Sequence, residues 1–318
     1  MSDEPHDRLL AIPPATDAEH VVRAERYAMA CTWGLYVVGE DEKYARQAAR
    51  AAFGEVDRIE QELSRFVEHS DVARINALPA GGTARVGIET LECLELAARV
   101  HEDTGGAFDV TVGVLLNLPG PHKSADSSEP PIGMHLLEIN RPARSVSVRA
   151  EGLVVDLGGI GKGYALDRVL AVLREWGIDA ALVHCGQSTA CATGRPAGQD
   201  GWEVALRSPA DQSATLGSVR LRDHALSGSG ARLHGRHIID PRTGRPADGT
   251  IGAWALAPSA ALADALSTAF MVLSPNEVAD YCRRHPDVSG VVQAETPGVR
   301  SLLRYGRGFD AIDTIEPG

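Results

Sequence analysis

Two stretches of the chain concentrate the residue types that handle phosphates and hard cations. The first, DLGGIGKGYALD at residues 156–167, sets one aspartate and one lysine around a turn made largely of glycine. Glycines let a backbone approach a ligand closely, and amides at a helix start attract anions. Lys162 adds a point charge suited to phosphate. Asp156, at the end of the preceding strand, can accept hydrogen bonds from a ligand ring or sugar. Neither common nucleotide loop is present: the phosphate loop GxxxxGK[ST] fails at Asp156 and Gly163, and GxGxxG fails at Leu166. A tight strand-to-helix turn with one solvated lysine satisfies the same pattern.

The second stretch, PSAALADALSTAFMVLSP at 258–275, spaces Leu262, Leu266, Phe270 and Leu273 as the apolar stripe of an amphipathic helix. Asp264 and Thr268 are four apart and share one face. A carboxylate and a hydroxyl together offer hard oxygens to Mg²⁺. An ordinary polar helix face gives the same pair.

Three further stretches carry candidates. In HGRHIIDPRTGRPADG, His237 precedes an apolar pair, where it can orient a nucleophile or take a proton, or simply satisfy the turn backbone. ALSGSGARLHG just upstream reads as a small-residue loop able to approach phosphate. In TGGAFDVTVGVL, Asp109 precedes an alternating strand and either bonds the loop backbone or borders a pocket. Phe66 in LSRFVEHSDVARIN is a loop aromatic, a type found more often in a core than as a stacking platform.

The elements that must position these residues follow from periodicity. YAMACTWGLYVVG reads as a strand. Steps of three and four predict helices over 41–63, 88–103, 163–176 and 260–273, and another begins at Pro275. Ser70 is a plausible N-cap for DVARIN, and Gly105–Gly106 ends the 88–103 helix. PGPHKSADSSEPPIG is a loop. Strands are predicted near 135–139, 145–148, 180–186, 202–208, 216–223 and 252–258. Strands mostly follow strands with helices interspersed, which predicts an α+β layered fold. Residues 1–24 and 311–318 read as weakly ordered tails around one domain at 25–310.

Composition narrows the function classes. The chain has 318 residues, is 44% hydrophobic and carries a net charge of −12. That charge argues against nucleic-acid binding, which needs a basic face. The five cysteines are scattered without CxxC or zinc spacing and read as reduced thiols. No run approaches a membrane span, and no signal peptide or lipid-attachment cysteine is seen, so a cytoplasmic location is expected.

Taken together and in order, MACTWGL, LSRFVEHSDVARIN, GGAFDVTVG, DLGGIGKGYALD, HCG, LSGSG, HIIDPRTGRP and ADALSTAF resemble the ApbE family of FAD:protein FMN transferases. The resemblance implies layered antiparallel sheets with packed helices, T-fold-like, with a flavin cleft between two lobes. It implies transfer of FMN from FAD to a Thr or Ser hydroxyl in a short motif of an acceptor flavoprotein, releasing AMP, with Mg²⁺ as cofactor. Hydrolysis of FAD to FMN and AMP, or FAD binding without turnover, are the alternatives, and a homodimer is allowed. By the same resemblance Asp264, Thr268 and the Gly159 carbonyl hold Mg²⁺. Met29, Phe66, Ala107, Phe108, Asp109, Asp156, Lys162 and Ile238 contact FAD, and His237 is the acid–base candidate. Lys162 stabilises the AMP leaving group. The chain departs from the family pattern at Ala30-Cys31, at Gly186-Gln187-Ser188 and after Leu116.

Overall fold

The structure, a computed structural model, describes residues 9–12, 21–116, 130–211, 213–230, 238–296 and 299–309. A short strand β1 (Leu10–Ala11) precedes the hairpin β2 (Val21–Ala28) and β3 (Cys31–Val38). Next come α1 (Glu42–Leu63), α2 (Asp71–Asn76), β4 (Thr83–Arg85), α3 (Ile88–Asp103), α4 (Gly113–Leu116), β5 (Leu137–Asn140) and β6 (Ser145–Val148). Helix α5 (Gly161–Glu175) leads into β7 (Ala181–Cys185), β8 (Thr189–Thr193), β9 (Trp202–Arg207), β10 (Thr215–Leu221) and β11 (Ala225–Gly230). The chain continues with β12 (Ile239–Asp240), β13 (Arg245–Pro246), β14 (Thr250–Ala257), α6 (Ala260–Phe270), α7 (Pro275–Arg284), β15 (Ser289–Thr296) and β16 (Val299–Tyr305). Helix starts follow local chemistry. Asp41 accepts from the amides of Lys43 and Tyr44, Ser70 caps α2, and Ser274 with Glu277 forms a capping box before α7.

Eight strands form one antiparallel sheet in the order β16-β15-β14-β11-β8-β7-β3-β2. Its side chains alternate between two cores. Ala181, Val183, Cys185, Cys191, Ala253 and Ala255 face the helices. Leu182, Ala190, Ala192 and Trp254 face a three-stranded sheet, β1-β9-β10, on the other side. In the central strands neither face meets water, so they are apolar on both sides while keeping the two-residue period; the edge strand β2 exposes Arg23, Arg26 and Tyr27. Helices α1, α5 and α6 cover the first face. Among the described residues no helix is long and apolar enough to cross a membrane.

Four local expectations are corrected. Part of the expected N-terminal tail is core: Leu9 and Leu10 are buried, and Trp254 Nε1 donates to the Leu9 carbonyl at 3.1 Å. The predicted single strand around residue 30 is a hairpin whose turn places Met29 and Ala30 at positive φ, 48° and 58°. ALSGSG is a central strand, β11, bonded to β8 and β14; its small residues are needed because the indole of Trp254 lies against Gly228. The alternating run after Asp109 forms no strand: Val112 bridges only Val154, and the chain turns into α4.

Helix α6 differs from its amphipathic prediction too. It lies between α5, α3 and the sheet, so Ala261, Ala263, Ala265 and Ala269 are buried along with Leu266 and Phe270. Leu262, expected in the stripe, is only partly buried. A polar residue on such a helix is therefore inside the protein, and Asp264 is one.

Candidate active site

The glycine turn is fixed at both ends. The Asp156 amide donates to the Val110 carbonyl at 2.7 Å, and Asp156 Oδ1 accepts from the Gly158 amide at 2.6 Å. Its Oδ2 pairs with Arg65 Nε at 2.8 Å. Helix α5 begins without a side-chain cap of its own. Instead Asp264 Oδ2 on α6 accepts from the Gly163 amide at 3.1 Å, so a carboxylate satisfies an orphan donor at a positive helix end. The helices touch there. A methyl group on Gly163 would stand 2.2 Å from the Ala260 carbonyl oxygen, so only glycine fits.

Around Asp264 the donors are hard oxygens. Oδ1 accepts from Ser227 Oγ at 3.3 Å. Thr268 Oγ1 donates back to the Asp264 carbonyl at 3.3 Å and lies 3.4 Å from Ser229 Oγ. A methyl group on Gly159 would meet Thr268 Oγ1 at 3.3 Å, which puts the glycine turn directly against this side chain. Burial pushes the Asp264 carboxyl above its ordinary value, against the opposing pull of Lys162, the Gly163 amide and Ser227. Burial acts on Lys162 in the opposite sense, pulling it down. The charge of Asp264, then Cys185, Cys31 and Asp156, outweighs that effect, and the ammonium ends raised. Each charge thus stabilises the other in a dry setting.

Asp264, Thr268, Gly159, Lys162 and Asp156 line one cavity of about 440 Å³, a size typical of small-ligand sites. Met29, Ala107, Phe108, Asp109 and Ile238 line it as well. Asp109 is in the wall but its oxygens are engaged: Oδ1 accepts from the Thr111 amide and hydroxyl, and Oδ2 from the Met134 amide. His101 Nδ1 lies 3.2 Å from Oδ2, and that contact raises the imidazole pKa. Asp109 therefore shapes the loop. Phe66 is not in the wall. Its ring is 84% exposed, with the Arg65 guanidinium 4.7 Å from its centroid. His237 lies outside the described residues.

Sequence reasoning missed the sheet's contribution. Ser229 and Gly228 of β11, and Cys31, Cys185 and Gly186 at two strand ends, also line the cavity. The stretches HCG and LSGSG were visible as motifs, but their pairing across the sheet was not. Among the described residues no three His, Cys, Asp or Glu side chains group as a metal site. The set on α6 is the Asp264 carboxylate and the Thr268 hydroxyl, with Gly159 of the glycine turn beside them. It suits a cation that keeps waters and takes its remaining oxygens from a phosphate, the habit of Mg²⁺.

Comparison with known proteins identifies the family and the fold. The FAD:protein FMN transferase of Escherichia coli K12 is 29% identical over 297 residues, covering 86% of this chain and 84% of that protein. That of Salmonella typhimurium is 29% identical over 321 residues, covering 93% and 89%. The apo structure of the Pseudomonas stutzeri flavinyl transferase ApbE superposes with a TM-score of 0.78 at 26% identity, over 94% of this chain and 98% of that one. The model of the ApbE family matches residues 29–292, and the chain belongs to that family.

Proposed function

We propose that this protein transfers FMN from FAD to a hydroxyl of a target protein, releasing AMP, and that Asp264, Thr268 and the Gly159 carbonyl hold the Mg²⁺ the reaction uses. One observation carries the reading. The glycine turn and α6, about a hundred residues apart in sequence, bring a buried carboxylate, a hydroxyl and an ammonium to one wall of one cavity. Bound there, Mg²⁺ would neutralise charge on the FAD diphosphate.

The chain's own groups do the rest. Lys162 stays protonated and faces the charge that grows on the departing AMP phosphate. The acceptor oxygen forms a bond to the flavin-side phosphorus as the bond from that phosphorus to the AMP oxygen breaks, and the hydroxyl proton leaves to a base. His237 is the proposed base. Asp156, held by Arg65 and the Gly158 amide, is placed to orient the nucleotide. Met29, Ala107, Phe108 and Ile238 supply apolar wall for the flavin. Displacement of this type depends on placement and charge, so no covalent nucleophile is required.

The test mixes the protein with FAD and Mg²⁺, with and without a candidate acceptor carrying a Thr or Ser. Transfer releases AMP only with acceptor and adds the mass of FMN to it. Free FMN and AMP without acceptor would identify a hydrolase instead, and neither product would overturn both.

A further inference from the structure

Two of the five cysteines, Cys31 and Cys185, line the cavity, and the other three do not. Cys31 opens β3 directly after the left-handed Met29–Ala30 turn. Cys185 ends β7, where it pairs with Trp33 on the neighbouring strand, β3. The next residue, Gly186, turns back with φ of 54° and donates its amide to the Thr32 carbonyl at 2.8 Å. A methyl group on Gly186 would lie 3.6 Å from Cys31 Cβ and 4.0 Å from its sulfur. The two cysteines thus flank one turn of the cavity wall; each thiol shifts the pKa of the other, and the charge of Lys162 lowers both.

We propose that Cys31 and Cys185 form a redox modification site inside the cavity, where hydrogen peroxide joins them as a disulfide that blocks flavin-nucleotide binding until a thiol reductant reopens it. The blocking half rests on the reading of this cavity as the FAD site; the bond itself does not. The chemistry balances. The Cys31 thiolate attacks one peroxide oxygen and the O–O bond breaks. The departing hydroxide takes the thiol proton and leaves as water, and Cys31 becomes a sulfenic acid. Cys185 then attacks the Cys31 sulfur, the S–O bond breaks, and the second hydroxide leaves as water with the Cys185 proton. Two electrons pass from the sulfurs to the peroxide.

Geometry favours this pair over the other thiols. Cys93, Cys191 and Cys282 do not line the cavity, and Cys185, pushed up by Cys31 and by burial, is the thiol that attacks second rather than first. Cys31 is held below its ordinary value, chiefly by the Cys185 thiol, against burial and with help from Lys162. A disulfide needs its sulfurs about 2.05 Å apart, closer than any non-bonded contact. Closing that gap draws together the turns that carry Met29, Ala30 and Gly186, all of them cavity wall.

The experiment treats the full-length protein with hydrogen peroxide, maps its peptides without reduction, and measures FAD affinity before and after. The expected result is one linked peptide joining Cys31 to Cys185, with Cys93, Cys191 and Cys282 still free. FAD affinity falls about tenfold and recovers in dithiothreitol. Cys31→Ser and Cys185→Ser each abolish the linked peptide and the oxidant effect. If either variant folds poorly, mapping of the wild type alone decides. Cys31 and Cys185 that remain free, or oxidise singly without linking, would overturn the site. A linked protein that binds FAD as tightly as the reduced one would overturn the block. Failure of the reduced protein to bind FAD would overturn the flavin reading of the cavity and the block together, leaving only the bond to be judged by the peptide map.

Discussion

Asp264 and Asp167 are two carboxylates at the α5–α6 contact, both largely withdrawn from water and both with raised pKa values, yet they do different work. Asp167 spends its two oxygens on α6: Oδ1 accepts from the Ala260 amide at 2.7 Å and Oδ2 from the Ala261 amide at 2.9 Å. It caps the helix and faces no cavity of the flavin site. Asp264 also accepts one bond at each oxygen, but it lines the cavity beside Lys162, with the Thr268 hydroxyl and the glycine turn at its side. Burial alone does not distinguish a structural carboxylate from a functional one. The cavity that Asp264 lines, with the Lys162 ammonium in the same wall, does.

The comparison predicts the largest separation for substitution by the isosteric amide. Asp264→Asn lowers FMN transfer by about 10³-fold, read as AMP release, because a ligand charge is lost where the diphosphate must be neutralised. Lys162→Met follows with a loss of about 10²-fold, the size expected for removing one charge stabiliser in a dry site. It also moves the acid limb of the transfer rate upward in pH, since Asp264 loses the cation that favours its ionised form. Asp167→Asn does the reverse of Asp264→Asn. It leaves transfer nearly intact and lowers unfolding free energy by about 1 kcal/mol, as loss of a cap does, measured by urea titration.

The smallest effect is a pH slope. Burial raises the Asp167 pKa from 3.8 to about 6, against the pull of the two α6 amides. The folded state therefore binds this proton more tightly than the unfolded chain. Its contribution to stability is complete below pH 3.8 and is lost as pH rises through about 6. Wild-type protein should lose stability across that interval relative to Asp167→Asn, and a parallel pair of pH curves would break the assignment.

Much of this was legible in the sequence because helices announce themselves locally. The 41–63 and 88–103 helices, their Asp41 start and Gly105–Gly106 end, the Ser70 cap of α2 and the start of α7 at Pro275 all follow from three- and four-residue spacing and local chemistry. Sheet assembly is non-local and was not legible. β11 is built from serine and glycine because it passes under Trp254 and beside α6, so its composition mimics a loop. The Met29–Ala30 turn uses positive φ without glycine or asparagine, leaving no sequence signal. Leu9 gains its place through residues far along the chain, its carbonyl accepting from the Arg207 amide and from Trp254 Nε1. At the site, the motif residues Asp156, Lys162, Asp264 and Thr268 were readable. The meeting of Cys31 with Cys185 depends on strands joined far apart in the chain.

The central claim is that Asp264 and the glycine turn grip a divalent cation together with a flavin diphosphate. Calorimetric titration of FAD, with Mg²⁺ and then with chelator, tests it without any turnover. The account predicts that Mg²⁺ tightens FAD binding to wild-type protein by at least about tenfold and leaves binding to Asp264→Asn unchanged. An equal response to Mg²⁺ in both proteins would contradict it.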